Sequence, residues 1–242
     1  MTLSENHKAE DFEKRGTVDT MTEKESLRDL IYFPIIFNVV GLPIILLLYA
    51  ISPEHFVDSG TLNTVVLASL FLPWWLLAFV VIRRLRRQGV DIKEYILPKK
   101  KFSLLSAILV FVLLNVLFEG YMIAALTYDR IPPMTDLHPF QIVFFIVLVP
   151  VTAGFTEEVI WRGYFIDKLL ATGISETKAI VYSAISFAFI HGFLLFDKIA
   201  VTFLFGVVAG LYYVRQRNLL VLIVSHIMVD VISYALTIFG FG

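Results

Sequence analysis

Long apolar stretches alternate with short polar segments over most of this chain. The apolar stretches cover approximately residues 31–51, 62–82, 102–127, 139–156, 179–196, 199–214 and 219–239. Because a helix needs about 20 apolar residues to cross the hydrocarbon of a bilayer, the pattern predicts an all-α, polytopic membrane helix bundle with about seven transmembrane helices. Residues 1–29 are polar and without periodicity, which predicts a mobile cytoplasmic tail before an embedded domain at 30–242.

The fourth apolar stretch changes character before it ends. Residues 140–155 are apolar, and Thr156, Glu157 and Glu158 follow directly. From Val159 to Leu170 the chain continues with the pattern of an amphipathic helix. A membrane helix that becomes polar part-way is expected to line a cavity inside the bundle, because its polar groups are not tolerated against lipid.

The composition agrees with a membrane protein. Hydrophobic residues make up 58% of the 242 residues and charged residues 17%, whereas soluble domains carry about 25% charged residues. The chain has no cysteine, which excludes disulfides, thiol catalysis and cysteine metal sites. It also has no Gly-rich phosphate loop, and nothing in it indicates nucleic-acid binding. The adjacent Trp74 and Trp75 are expected to form an interfacial belt or to contact lipid.

The charges between the apolar stretches predict the orientation in the membrane. The segments after the second, fourth and sixth apolar stretches are basic, whereas the intervening segments are acidic or mixed. Since basic loops stay in the cytoplasm, the N-terminus is expected to be cytoplasmic and the C-terminus external. The first basic segment contains Arg83, Arg84, Arg86, Arg87, Lys93, Lys99, Lys100 and Lys101.

Six ionisable side chains interrupt the apolar stretches of the C-terminal half. They are Glu157, Glu158, Arg162, His191, His226 and Asp230. An ionisable group at membrane depth costs roughly 2.5–3.5 kcal/mol or more, so such groups usually face one another or a hydrated cavity and have a function. Carboxylates and histidines together are the side chains of proton transfer and water activation. Their concentration in one half of the chain therefore predicts a hydrolytic site inside the membrane.

The spacing of these residues predicts their pairing. Glu158 and Arg162 are four apart and share a helix face, so they are expected to form an ion pair. Glu157 lies about 100° around the helix from its neighbour and remains available as a general base or acid. His226 and Asp230 form a second pair four residues apart, in which Asp230 is expected to orient the histidine.

Each pattern alone also has a purely structural explanation, such as an interfacial salt bridge or a histidine bonded to a neighbouring helix. Two further function classes therefore stay open. A proton-coupled transporter would use similar groups, although the chain has no duplicated second half of the kind found in many carriers. A non-catalytic membrane scaffold, for example one that sequesters a toxic peptide, is compatible with the same residues.

Three motifs follow one another on successive apolar stretches: Glu157-Glu158-x-x-x-Arg162, Phe187-x-x-x-His191 and His226-x-x-x-Asp230. Together they resemble the signature motifs of the CPBP intramembrane protease family, which includes the CAAX prenyl proteases and the bacterial Abi, or bacteriocin-immunity, proteins. The family core is expected at residues 139–239. The resemblance implies a membrane-embedded endopeptidase acting near the cytoplasmic side, with a peptide or membrane protein as substrate and the lipid bilayer as surroundings. A bacteriocin-immunity protein on the same fold is the alternative.

The resemblance also implies a role for each residue. Glu157 would activate the attacking water with help from His191, and Glu158 and Arg162 would form the ion pair that shapes the site. His226 and the residue four positions on would stabilise the oxyanion. This last residue is frequently asparagine in the prenyl proteases but is Asp230 here, and an ionised aspartate cannot donate a hydrogen bond. Asp230 is then protonated, orients His226 or binds a metal.

Two chemistries are compatible with these residues. Glu157, His191 and His226 are of the type that holds zinc with an open position for water, as in a metalloprotease. The same residues permit a metal-free, glutamate-type mechanism. In both, an activated water attacks the peptide carbonyl.

Overall fold

The computed structural model describes residues 23–51, 59–97, 102–124, 137–191 and 196–239. Within these ranges all regular secondary structure is helical, which confirms the predicted all-α class. Eight helices follow one another along the described chain: α1 (Glu23–Ile51), α2 (Ser59–Arg87), α3 (Ile92–Ile96), α4 (Leu104–Ala124), α5 (Pro139–Ala171), α6 (Glu176–Phe189), α7 (Phe196–Gln216) and α8 (Leu219–Phe239).

Five of these helices are long and apolar enough to cross a membrane, counted over the described residues: α2, α4, α5, α7 and α8. The protein is therefore a multi-pass membrane protein, but the predicted number of seven crossings is not confirmed. Helix α6 contains only 14 residues, which corresponds to roughly 21 Å at the rise of an α-helix, less than the hydrocarbon thickness. The predicted crossing at 179–196 is thus a shorter helix, and residues 192–195 lie outside the described chain.

Helix α1 begins earlier than the apolar pattern predicts. Residues 23–29, expected to belong to the tail, form its first turns, while residues 1–22 lie outside the described residues. Asp29 explains the extension, because its buried carboxylate accepts a hydrogen bond from Arg84 of α2. Arg84 also donates to the hydroxyl of Tyr164, at 3.0 Å. The polar first turns of α1 are therefore held against α2 and α5.

Helix α5 runs through the centre of the bundle and contacts α2, α6, α7 and α8. Every side chain from Thr156 to Leu169 is buried, so the stretch predicted to be amphipathic is enclosed on all sides. Two segments of α5, Phe144–Leu148 and Glu158–Phe165, are π-helical. Such segments are rare and frequently mark functional sites. The second one begins at Glu158 and thus coincides with the polar cluster predicted from the sequence.

The charges at the end of α5 are buried because partners surround them. Asp167 accepts hydrogen bonds from the hydroxyls of Tyr95 and Tyr213, at 3.1 and 2.9 Å. Arg217 lies 2.5 Å from its other oxygen. These bonds connect α5 to α3, to α7 and to the turn before α8. They fix the end of the helix that carries the predicted site.

Helices α6 and α7 pack closely against each other. A Cβ at Gly206 would lie 2.9 Å from the Cβ of Ala184. At Gly210 it would lie 2.9 Å from a methyl group of Ile180. A side chain larger than hydrogen at either position would therefore require the neighbouring helix to shift. The contact fixes the position of the α6 end, where the second motif lies.

Candidate active site

The two adjacent carboxylates of α5 lie at the junction between its α-helical and π-helical segments, and both are buried. They bind different partners. Oε1 of Glu157 accepts a hydrogen bond from the indole nitrogen of Trp74, at 2.9 Å. Oε1 of Glu158 lies 2.7 Å from Nδ1 of His226 and 3.2 Å from a guanidinium nitrogen of Arg162. The predicted pairing of Glu158 with Arg162 is thus present, and Glu157 is separate from it.

Glu158 also determines how His226 is oriented. A carboxylate paired with arginine accepts hydrogen bonds and does not donate them, so Nδ1 of His226 carries the proton. Nε2 of the ring then points toward Oε2 of Glu157 and Oδ1 of Asp230, each 3.8 Å away. The sequence assigned the orienting role to Asp230. In the structure Glu158, which lies 68 positions away along the chain, makes the hydrogen bond instead.

The Arg162 guanidinium is enclosed by aromatic rings. Its central carbon lies 4.1 Å from the centre of the Phe187 ring and 5.7 Å from that of Phe205. Cation–π contacts of this kind stabilise a desolvated guanidinium. The 3.2 Å contact with Glu158 is an ion pair without hydrogen-bond geometry, so within the described chain both terminal nitrogens of Arg162 and Oε2 of Glu158 lack a hydrogen-bond partner. Buried polar atoms without partners are uncommon and indicate a place where water or a polar ligand binds.

His191 lies just beyond the end of α6, beside this cluster. Its Nδ1 is 3.2 Å from the carbonyl oxygen of Phe187, so the ring nitrogen donates to the backbone and Nε2 is left as an acceptor. The Phe187 ring packs edge-on against His191, at 5.1 Å, and against His226, at 6.3 Å between centroids. Among the described residues His191 forms no hydrogen bond with Glu157 or His226, and the Phe187 ring lies against both histidines.

The structure therefore brings five of the six predicted residues into one connected cluster. The sixth, His191, is separated from this cluster by the ring of Phe187. The five are Glu157, Glu158, Arg162, His226 and Asp230. They come from two helices, α5 and α8, whose close approach at Gly154 brings them together. A Cβ at Gly154 would lie 2.7 Å from a side-chain carbon of Ile227. The assembly of the cluster thus depends on a glycine one turn before Glu157.

The zinc ligands predicted from the sequence are not gathered into a metal centre. In the described part of the chain, no three His, Asp or Glu side chains are arranged to hold a metal ion. Nδ1 of His226 is bonded to Glu158, Nδ1 of His191 to a backbone carbonyl, and Oε1 of Glu157 to Trp74. These bonds leave Nε2 of both histidines and Oε2 of Glu157 available, and a zinc-bound histidine usually has its other ring nitrogen bonded in this way, so a zinc requirement stays a prediction.

Two residues of the site carry no signal in the sequence. Trp74, expected at the interface or against lipid, is only 5% exposed and binds Glu157, whereas Trp75 is 46% exposed and stacks on Phe155. The expectation was therefore wrong for Trp74. A buried indole needs an acceptor for its N–H, but the sequence does not reveal which one. Phe205 of α7, 4.8 Å from the His226 ring, looks like any other apolar residue of its helix.

Comparison with known protein families gives a match over the part of the chain that contains this cluster. Residues 139–232 match the Rce1-like family of type II CAAX prenyl endopeptidases. The match confirms the resemblance that the three motifs indicate. It extends from α5 into α8 and contains all six predicted site residues, while Trp74 lies outside it. The Rce1-like family is a protease family, which supports a membrane protease in general. No curated protein and no solved structure matches the chain.

Proposed function

We propose that the protein is an intramembrane endopeptidase of the CAAX-protease type in which Glu157 activates the attacking water. The observation that carries this proposal is the relation between Glu157 and His226. Oε2 of the carboxylate and Nε2 of the imidazole face each other at 3.8 Å, from different helices and in a buried cluster. This distance is too long for a direct hydrogen bond, and a water molecule commonly lies between polar groups so separated.

Glu157 is the proposed general base. Trp74 occupies Oε1, so Oε2 is the oxygen that accepts a proton from the water. Nε2 of His191 accepts the hydrogen bond of the second O–H and thereby orients the water. The water oxygen then forms a bond with the carbonyl carbon of the peptide, and the carbonyl oxygen becomes an oxyanion. General-base catalysis of this kind contributes about 10²- to 10⁴-fold in rate.

His226 is the proposed oxyanion donor. In its doubly protonated form it donates through Nδ1 to Glu158 and through Nε2 to the oxyanion. Asp230 lies on the Nε2 side of the ring, at 3.8 Å, where its carboxylate supports the positive charge of the imidazolium and does not itself donate. When the intermediate collapses, Glu157 returns the proton to the leaving amine nitrogen as the carbon–nitrogen bond breaks. One carboxyl group thus serves both proton transfers.

The proposed substrate is a peptide segment at or near the cytoplasmic face of the membrane. The loop charges support a cytoplasmic N-terminus and an external C-terminus. In this orientation the junction at Glu157 lies toward the cytoplasmic end of α5. The name of the matching family refers to prenylated CAAX substrates. Prenylated proteins are the proposed substrates only if the host cell makes them. Otherwise the proposed substrates are processed peptides or signal-like segments.

The experiment is a cleavage assay in proteoliposomes with two probe peptides, one farnesylated at a C-terminal CAAX sequence and one unmodified. In parallel, the peptides in native membranes are compared with and without the protein. The proposal predicts cleavage by the wild type and a loss of about 10²-fold or more in Glu157→Gln, which keeps the shape but removes the base. The control is Glu94→Gln, because Glu94 is an exposed glutamate of α3. No cleavage of either probe and identical membrane peptides would overturn the proposal in favour of a scaffold.

A further inference from the structure

The basic run at the end of α2 divides into an inner and an outer part. Arg84 turns inward and binds Asp29 and Tyr164. Arg83, Arg86 and Arg87 lie on the surface, and none of them forms an ion pair with a described residue. From the sequence, all four arginines belong to one basic segment that serves as a topology signal or binds anionic lipid headgroups. In the structure only Arg84 turns inward, and the other three positive charges lie on the outer face of the helix.

These three arginines border a surface groove. The groove has a volume of about 280 Å³ and is lined by Phe79, Ile82, Arg83, Arg86 and Arg87. Its residues occupy one face of α2, because they are three or four positions apart along the helix. The groove is positively charged at the end of the helix and apolar one turn before it. Phe79, at its apolar end, is 59% exposed.

The groove continues into the surface that faces the hydrocarbon. Leu72, Trp75 and Leu76, one to two turns before Phe79, are exposed apolar residues of the same predicted membrane span. An exposed apolar face on a membrane helix contacts acyl chains. The positive end lies where the span ends, at Arg87, which is the level of the lipid headgroups. The position of the groove thus matches the two parts of a phospholipid, one charged and one apolar.

We propose that this groove binds an anionic phospholipid, with its phosphate against Arg83, Arg86 and Arg87 and an acyl chain along Phe79. A soluble phosphate ion would satisfy the arginines but would leave the apolar half of the groove uncovered. Basic clusters next to a membrane helix bind acidic headgroups, and each charge strengthens the binding about fivefold. The lipid contacts the outer face of α2, whose inner face carries Trp74 and Arg84. The proposal does not depend on the proposed function.

The test measures lipids bound to the purified full-length protein by native mass spectrometry, after reconstitution in phosphatidylcholine bilayers with and without phosphatidylglycerol. The groove variant is Arg83→Gln/Arg86→Gln/Arg87→Gln. The matched control, Lys24→Gln/Lys178→Gln/Arg215→Gln, removes three exposed cations from other helix ends. A third variant, Phe79→Ala, keeps the charges and removes the apolar contact. Helicity measured by circular dichroism shows that each variant is folded.

The wild type is expected to retain phosphatidylglycerol in preference to phosphatidylcholine. The groove variant should lose about 10- to 100-fold in phosphatidylglycerol affinity, the control less than about fivefold, and Phe79→Ala an intermediate amount. Equal losses in the groove variant and the control would overturn the proposal, because they would indicate attraction by charge alone. Displacement of the lipid by inorganic phosphate would also overturn it, since the groove would then be an anion site.

Discussion

The indole nitrogen of Trp74 lies 2.9 Å from Oε1 of Glu157, although 83 positions separate the two residues. The bond joins α2, which lies outside the family match, to the carboxylate proposed as the general base. It fixes one carboxylate oxygen and leaves the other facing His226. A residue of the N-terminal half thus positions the proposed catalytic group of the C-terminal half.

Trp74→Phe tests this positioning, because it keeps an aromatic ring and removes the N–H donor. A hydrogen bond to a charged group contributes about 1.5–3 kcal/mol, so kcat should fall about 10- to 100-fold while KM changes little. Steady-state kinetics in proteoliposomes measure both constants. Trp75→Phe is the control, since Trp75 is exposed and stacks on Phe155. Equal kcat values for Trp74→Phe and the wild type would show that the bond has no catalytic effect.

The ion pair of Glu158 and Arg162 is expected to stabilise the fold mainly because each charge is buried. Arg162→Gln would remove the guanidinium that pairs with Glu158 at a site that is 1% exposed. The loss of one partner of a buried pair costs about 3–5 kcal/mol, which should appear as a large decrease in Tm. The double variant Glu158→Gln/Arg162→Gln removes both charges and should regain most of the Tm. It should stay inactive, because His226 loses its carboxylate partner. If Arg162→Gln had the Tm of the wild type, this explanation would be contradicted.

Gly154→Ala tests the close approach of α5 and α8. The new Cβ would lie 2.7 Å from a side-chain carbon of Ile227 and 3.1 Å from its backbone nitrogen, so the helices must move apart and the cluster should lose its geometry. We expect a lower Tm and a loss of cleavage. Gly120→Ala provides the matched control, since a Cβ there meets no described atom within 4 Å. If Gly154→Ala and Gly120→Ala lowered Tm and cleavage equally, the separation of α5 from α8 would not explain the loss.

Metal dependence is tested directly with the active protein. Because no three His, Asp or Glu side chains among the described residues are arranged to hold a metal ion, we predict that cleavage persists after dialysis against 1,10-phenanthroline. Metal analysis should then find far less than one zinc ion per chain. Inactivation by the chelator, reversed by added zinc in a one-to-one ratio, would require these side chains to rearrange around a metal.

Local periodicity predicted what depends on residues near one another in the chain. The helical class and the pairing of Glu158 with Arg162 follow from spacing, and the structure contains both. Contacts between distant residues were not predictable in this way. His226 and Asp230 have the spacing of a pair, yet Glu158 binds the histidine at 2.7 Å while Asp230 stays at 3.8 Å. A contact between packed helices thus prevails over one within a helix.

The same limit explains the boundaries that differ from the predictions. Hydropathy places the start of the first membrane helix at residue 31, whereas α1 begins at Glu23 because Asp29 has a partner on α2. From the sequence alone, polar residues before an apolar stretch indicate a tail, because their partners on other helices are not known. The aromatic enclosure of Arg162 is a further example, because Phe187 and Phe205 reach it from two other helices.

The most direct test of the central claim is a double-mutant cycle on kcat/KM with Glu157→Gln, His226→Gln and the double variant. If both side chains act on one water and one carbonyl, each single variant should lose about 10²-fold or more, and the double variant should lose little beyond that. If the loss of kcat/KM in the double variant equalled the product of the two single losses, the two side chains would act independently. Full activity in either single variant would contradict a shared site between α5 and α8.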